Sequence, residues 1–175
     1  MDISIINFIQ QYFHNPVTDT LFPFITRLGD AGLIWILIGA IMLITRKYRR
    51  SGLVMLLAAL LAYVAGDLII KPLVARPRPF MDFPGTPLLI SAPNGFSFPS
   101  GHSASSFAAA FCLWKTDKRF GIAGFILASL IAFSRIFLFV HYPTDVFAGI
   151  ILGFLCGMFL CYVNKKVHFR PEISR

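Results

Sequence analysis

The chain alternates long apolar runs with short polar breaks. Five runs stand out, over residues 31–45, 51–74, 102–114, 120–139 and 144–163. A helix that crosses a bilayer needs about 20 mostly apolar residues, so the pattern predicts five membrane-spanning helices. The first and third runs are short on that count and must extend into their flanks or sit beside a thinned or polar region. Residues 2–28 read differently. Ile5, Ile6, Ile9 and Phe13 recur at helical spacing with Asn7, Gln10, Gln11 and His14 between them, Asn15-Pro16 breaks the run, and Pro23 interrupts the next. This predicts two short helices lying in the membrane interface. One further crossing built from both is the alternative, disfavoured because Asn15-Pro16 and Asp19 fall in its middle. The expected fold is all-α, a multi-pass membrane helical bundle of about five transmembrane helices plus N-terminal interfacial helices, with six transmembrane helices as the alternative. Residues 1–28 form the interfacial part and residues 29–175 the transmembrane part of a single domain.

Composition agrees with this threading. The 175 residues are 57% hydrophobic and only 14% charged, with mean hydropathy +0.73, where a soluble domain carries about a quarter charged residues. The formal charge is +8, a balance that first suggests nucleic acid. Its placement argues otherwise. Arg46, Lys47, Arg49 and Arg50 form one cluster, Lys115, Lys118 and Arg119 a second, Lys165, Lys166, Arg170 and Arg175 a third. All sit in breaks between apolar runs or in the tail, the positive-inside distribution of a membrane protein. With these clusters in the cytoplasm, the connections over residues 75–101 and 140–143 face outside, and the C-terminus is inside. Cys112, Cys156 and Cys161 carry no metal-ligand spacing and read as small buried apolar residues. No removable signal peptide is expected at the N-terminus.

Three polar patches fall at the ends of apolar runs, and charge alone places all three on the outer side. They are Lys71 with Arg78 and Pro79, then Pro99-Ser100-Gly101-His102, then Ser134-Arg135 with His141 and Asp145. Polar groups at a bilayer edge are costly and usually functional. Lys71, Arg78 and Arg135 could together answer a phosphate, arginine through a bidentate fork. Headgroup anchoring is the plainer reading of each cation alone, but prolines on both sides of Arg78 stiffen its backbone and favour a positioned group. Ser100-Gly101-His102 opens a helix whose N-terminal N–H groups form an anion site, although Ser100 could be an ordinary N-cap. His141 and Asp145, four apart at a helix start, let a carboxylate fix one ring nitrogen and free the other for attack. With two histidines, one can attack phosphorus while the other protonates the departing oxygen. Asp67, four residues before Lys71, reads as its partner. His14 and His168 lack such surroundings. Gly149, Gly153 and Gly157 make a small-residue stripe for close packing inside the bundle, with the Ala- and Ser-rich run after His102 as its partner.

These residues carry a resemblance. K-x6-R-P from Lys71 to Pro79, P-S-G-H from Pro99 to His102, and S-R-x5-H-x3-D from Ser134 to Asp145 resemble the type 2 phosphatidic acid phosphatase family of integral-membrane lipid phosphatases, over about residues 60–160. The N-terminal 28 residues match weakly, which puts a family-like first spanning helix in question. The resemblance implies that His141 is the nucleophile and forms a phosphohistidine that water cleaves, that Asp145 orients it, and that His102 is the acid for the leaving group. It implies that Lys71, Arg78, Ser100, the Gly101 backbone and Arg135 hold phosphate, and that no metal and no cofactor are needed. The implied partners are a lipid phosphate or diphosphate and membrane lipids, not nucleic acid. The implied place is a bacterial cytoplasmic membrane with the site facing outside. Undecaprenyl diphosphate, the cell-wall carrier, leads on family frequency, ahead of phosphatidylglycerol phosphate, phosphatidic acid and diacylglycerol pyrophosphate. A membrane protein that binds or transports a lipid phosphate without hydrolysis is the rival of another class, and the oriented His141 argues against it. Vanadate-dependent haloperoxidases share the motif skeleton but are soluble and much larger.

Overall fold

The computed structural model describes residues 2–168, with the side chains of Val167 and His168 excepted. Arg170 and Arg175 of the third basic cluster lie outside the described residues, as does the side chain of His168. Helices account for the regular structure among the described residues. Helix α1 runs Asp2–Tyr12 and α2 runs Pro16–Gly29. Between them Asn15 caps α2, its side chain accepting from the Val17 and Thr18 amides while Thr18 returns a bond to the Asn15 amide, a reciprocal cap that starts a helix firmly. The two N-terminal helices thus fall where the Asn15-Pro16 break put them.

Helix α2 ends at a three-residue turn, Asp30–Gly32, where Ala31 and Gly32 take φ of 50° and 72°. Left-handed backbone ends a helix, and α3 (Leu33–Ile44) restarts at once. The 16–44 stretch is long and apolar enough to cross a membrane. The expected boundary at residue 28 lies in the last turn of α2, just before the break at Asp30–Gly32. Helix α4 (Arg49–Tyr63) continues through a widened π-type segment, Val64–Ile70, into α5 (Lys71–Val74). Pro72 lies just beyond this widening. Its ring would clash with the carbonyl four residues back in a regular helix, and a π-turn relieves that clash at a place where such turns often serve function. The short α6 (Pro79–Asp82) follows, then α7 (Gly101–Thr116), α8 (Lys118–Phe137) and α9 (Pro143–His168).

Helix α7 is the centre of the bundle, touching α4, α8 and α9. Its 16 residues span roughly 24 Å at 1.5 Å per residue. It is short for a membrane crossing because protein rather than lipid surrounds it: Ala104, Ala108, Ala109 and Ala110 are fully buried. A Cβ at Gly149 or Gly153 of α9 would strike the carbonyl oxygen of Ser100 or Ala104 on α7. The glycine stripe is therefore packing within the chain, against the helix the sequence named. Trp35 of α3 donates from Nε1 to Ser106 Oγ of α7 at 2.9 Å in the core.

The alternation of helix directions separates two ends. The α3–α4 turn with Arg46–Arg50, the end of α7 with Lys115 and the end of α9 with Lys165 gather at one, where Arg50 donates to Asn164 Oδ1 at 2.5 Å. The ends of α4 and α8 and the starts of α7 and α9 meet at the other, with the three motifs.

Candidate active site

At that second end the motif residues surround one cavity of about 730 Å³. Lys71, Arg78, Gly101, His102, Arg135 and His141 line its polar head, and Trp35, Ile36, Leu56, Ala59, Leu60 and Tyr63 line an apolar limb between α3 and α4. This volume is in the range of small-ligand sites.

Each cation is placed by local structure. Lys71, one helical turn past Asp67 on the widened segment, forms the expected ion pair with it. The second carboxylate oxygen of Asp67 is buried without a partner. It rests where a Cβ on Gly101 would be, so only glycine lets the start of α7 come this close. Arg78, 3% exposed, is held by the chain on either side: Nε donates to the Gly95 carbonyl at 2.9 Å, Nη2 to Asn94 at 3.2 Å, Nη1 to Val140 at 3.0 Å. Arg135, also 3% exposed, donates from Nη1 to Thr26 Oγ1 at 2.5 Å, and its Nε has no partner. The Arg135 carbonyl accepts from the amides of Val140 and His141 at 3.2 Å. This folds the loop back over the end of α8 and sets His141 beside the arginines.

His141 is buried and its two nitrogens meet different groups. Nη1 of Arg78 lies 3.2 Å from Nε2. A guanidinium only donates, so Nε2 holds the lone pair and Nδ1 the proton, a tautomer assigned from its partners. Nδ1 faces Ser97 Oγ at 3.4 Å and Asp145 Oδ2 at 3.6 Å. The second distance exceeds a hydrogen bond, and Ser97, bonded to the same carboxylate oxygen, stands between the pair. Asp145 also accepts from the Tyr142 amide at 2.8 Å and from Arg76 Nη1 at 2.6 Å. Burial first, then the charges of Arg135 and Arg78, push the His141 imidazole well down from its ordinary range, to about 3, against the opposing pull of Asp145. The ring is therefore neutral and its free lone pair faces the cations.

His102 lies across the cavity. Its Nε2 is 2.9 Å from Oδ1 of Asp30, in the turn between α2 and α3. Ser100 does not line the cavity: its hydroxyl is fully buried and accepts from the Ser103 hydroxyl and amide at 3.0 and 3.4 Å. It is the N-cap of α7, the plainer of its two readings. His14 stacks on Phe137 and pairs with Asp19, away from the cavity. Among the described residues no three His, Cys, Asp or Glu side chains converge as a metal ligand set.

Four contributors escaped the motif reading. Thr26 and Asp30 come from the N-terminal stretch, Arg76 was a cation without a role, and Ser97 precedes its motif by two residues. Arg76 left the one usable signal, as a charge at the bilayer edge that no cluster absorbed.

The chain thus gathers cations around a buried imidazole at one end of its helical bundle. It belongs to the PAP2 superfamily, whose profile matches residues 51–169. An undecaprenyl-diphosphatase of Sulfolobus acidocaldarius is 35% identical over 134 residues, covering 76% of this chain and 64% of that protein, so the chain spans just under two thirds of that relative. The decaprenylphosphoryl-5-phosphoribose phosphatase of Mycobacterium tuberculosis is 40% identical over 137 residues, 76% of this chain and 73% of that one. The crystal structure of a transmembrane PAP2-type phosphatidylglycerolphosphate phosphatase from Bacillus subtilis superposes with a TM-score of 0.78 at 28% identity, covering 97% of this chain and 87% of the other.

Proposed function

We propose that the chain removes the terminal phosphate from a polyprenyl diphosphate of the undecaprenyl type, at the outer face of a bacterial cytoplasmic membrane with its C-terminus inside, through a phosphohistidine on His141. The observation that carries the proposal is the orientation of His141, with Nε2 toward Arg78 and Nδ1 toward Ser97 and Asp145. Simple anion binding has no need of a fixed neutral imidazole, whereas in-line transfer to nitrogen does. Lys71, Arg78 and Arg135 hold the phosphate, helped by the Gly101 amide at the start of α7. Nε2 forms a bond to phosphorus as the bond to the bridging oxygen breaks. A proton passes from His102 to that oxygen, and the lipid monophosphate leaves. Water then attacks the phosphohistidine, His102 takes its proton, and inorganic phosphate and free His141 return. Three fixed cations neutralise the transferring group, a task other phosphoryl-transfer sites give to magnesium.

The apolar limb of the cavity, from Tyr63 to Leu56 on α4 and Trp35 to Ile36 on α3, suits a long hydrocarbon tail. The choice of a polyprenyl chain leans on the names of the two relatives. The test is phosphate release by detergent-solubilised protein in EDTA, with undecaprenyl diphosphate and phosphatidylglycerol phosphate assayed side by side. Turnover of the former at the higher kcat/KM is expected. Binding of both with hydrolysis of neither sinks the proposal in favour of a carrier. The orientation is checked by impermeant labelling of single cysteines placed at Gly85 and Lys47, and reaction from outside at Gly85 only is the expected result.

A further inference from the structure

Arg76 lies outside the residues assigned above, and it bridges two carboxylates, Asp145 and Asp2. Its Nη1 donates to Asp145 Oδ1 at 2.6 Å and to Thr144 Oγ1 at 2.7 Å. Its Nη2 donates to Asp2 Oδ2 at 3.0 Å. Its guanidinium carbon sits 3.9 Å over the centre of the Tyr142 ring, a stacking that fixes the plane of the fork. Asp2 in turn accepts from the Thr144 hydroxyl at 2.6 Å and the Thr144 amide at 3.2 Å. The Arg76 carbonyl accepts from the Ser97 amide at 2.8 Å, and Ser97 Oγ is the group lying between Asp145 Oδ2 and His141 Nδ1. Arg76 therefore reaches Asp145 from both sides, by side chain to one oxygen and through Ser97 to the other.

We infer that Arg76, backed by Asp2 of the N-terminal helix, is a positioning residue: it fixes the Asp145 carboxylate and through it the Nδ1–H tautomer that leaves Nε2 of His141 free to attack. The reasoning is geometric. A carboxylate at 3.6 Å from Nδ1 does not by itself hold a ring. Oδ2 of Asp145 takes the Tyr142 amide and Ser97 Oγ, and Arg76 is the cation that pins the far oxygen, Oδ1. Attack in line tolerates little misplacement, since an error of about 1 Å can cost about 10²-fold. The N-terminal helix α1, whose first described residue is Asp2, is then part of the machinery that prepares the nucleophile.

The inference rests on the phosphohistidine reading, and the experiment separates the two. The full chain in detergent is compared as wild type, Arg76→Met, Arg76→Lys, Asp2→Asn and His141→Gln, with turnover of the lipid phosphate and ¹⁵N spectra of labelled histidine. The His141 signals are those lost in His141→Gln. Arg76→Met is expected to lower kcat by about 10–100-fold with KM unchanged, and to give His141 a second tautomer population where the wild type shows one. Arg76→Lys recovers the single tautomer and most of kcat, because a cation returns to Oδ1. Asp2→Asn shows the same changes in smaller degree. A wild-type kcat in Arg76→Met overturns the inference. So does a lowered kcat with the His141 tautomer unchanged and a lowered melting temperature, the signature of a strut between α1 and α9. Turnover surviving in His141→Gln would sink the phosphohistidine reading instead, while the tautomer comparison still reports on Arg76.

Discussion

Two histidines face the cavity, each beside a carboxylate, and the pairs are built in opposite ways. His141 and Asp145 are 2% and 0% exposed. Ser97, the Tyr142 amide and Arg76 hold the carboxylate, and two arginines lie close to the ring. His102 and Asp30 are 20% and 60% exposed, and Asp30 reaches the ring from a turn between two helices. The contrast matches what the proposed mechanism asks of each ring. A nucleophile needs one tautomer and no proton on the attacking nitrogen, so burial beside cations suits it. A group that gives a proton and takes one back in each cycle needs a route to water, and an exposed carboxylate leaves that route open. In the proposed mechanism the same chemical pair, imidazole and carboxylate, serves as a clamp in one place and a relay in the other.

The largest test breaks the clamp side outright. His141→Ala is expected to abolish turnover and to leave no acid-labile phosphoryl group on the protein after a quench with labelled substrate. Near-normal turnover would remove the distinction between the two rings. Next comes the relay side. His102→Ala is expected to lower kcat by about 10²–10⁴-fold, while inorganic phosphate still competes with substrate at the wild-type concentration. The cations that bind it are untouched. Equal losses of affinity and rate would make His102 a binding group rather than an acid.

A third test sharpens the comparison without using substrate. Burial and the neighbouring arginines hold His141 down to about 3, whereas an unfolded histidine titrates near 6.5. Between those values the unfolded chain binds a proton that the folded ring refuses. The stability this group contributes is therefore complete above about 6.5 and falls as pH drops toward 3, by up to about 1.4 kcal/mol per pH unit. Thermal unfolding in detergent between pH 7 and pH 4 should steepen accordingly in the wild type and flatten in His141→Gln. Other groups titrate in both, so the difference isolates this ring. Identical slopes would mean that His141 is protonated as readily folded as unfolded.

How much of this could be read along the chain follows the same division. The ring and carboxylate of the clamp were legible because they are local, His141 and Asp145 being four apart, whereas Ser97 and Arg76, which hold the carboxylate, lie outside that spacing. The Asp67–Lys71 pair came from helical spacing alone, and the basic clusters separated the two ends of the bundle. Of the relay, His102 was legible in its motif and Asp30 was not. Asp30 is 72 residues from His102, and Thr26 is 109 from Arg135, with no periodicity to join them. Residues 2–28 carry polar groups along an apolar stripe, which reads as an interface. In the fold two of those groups turn toward protein, Gln10 to the Phe137 carbonyl and Thr26 to Arg135, while Asn7 and Gln11 stay exposed. Ser100 shows the opposite limit. A serine before Gly-His at a helix start serves a ligand or its own helix, and its neighbours in sequence do not say which. Here Ser103 takes the hydroxyl into the helix cap.

The smallest expected effect falls on Asp30→Asn, and it decides whether the relay is as loose as its exposure suggests. An ion pair open to water contributes about 0–1 kcal/mol, because solvent can replace either partner, so removing the charge should lower kcat by less than about tenfold. The loss should also depend on the leaving group. A lipid diphosphate departs as a phosphate that carries its negative charge readily and asks little of the acid. A lipid monoester departs as an alkoxide that must be protonated, so Asp30→Asn should cost more with the monoester. Asp145→Asn should reverse that pattern in one respect: it harms attack rather than departure, and its loss, the greater of the two, should be the same for both substrates. Were Asp30→Asn to match Asp145→Asn in size and to ignore the leaving group, the exposed carboxylate would be holding its ring as firmly as the buried one. The difference in burial would then carry no chemical meaning.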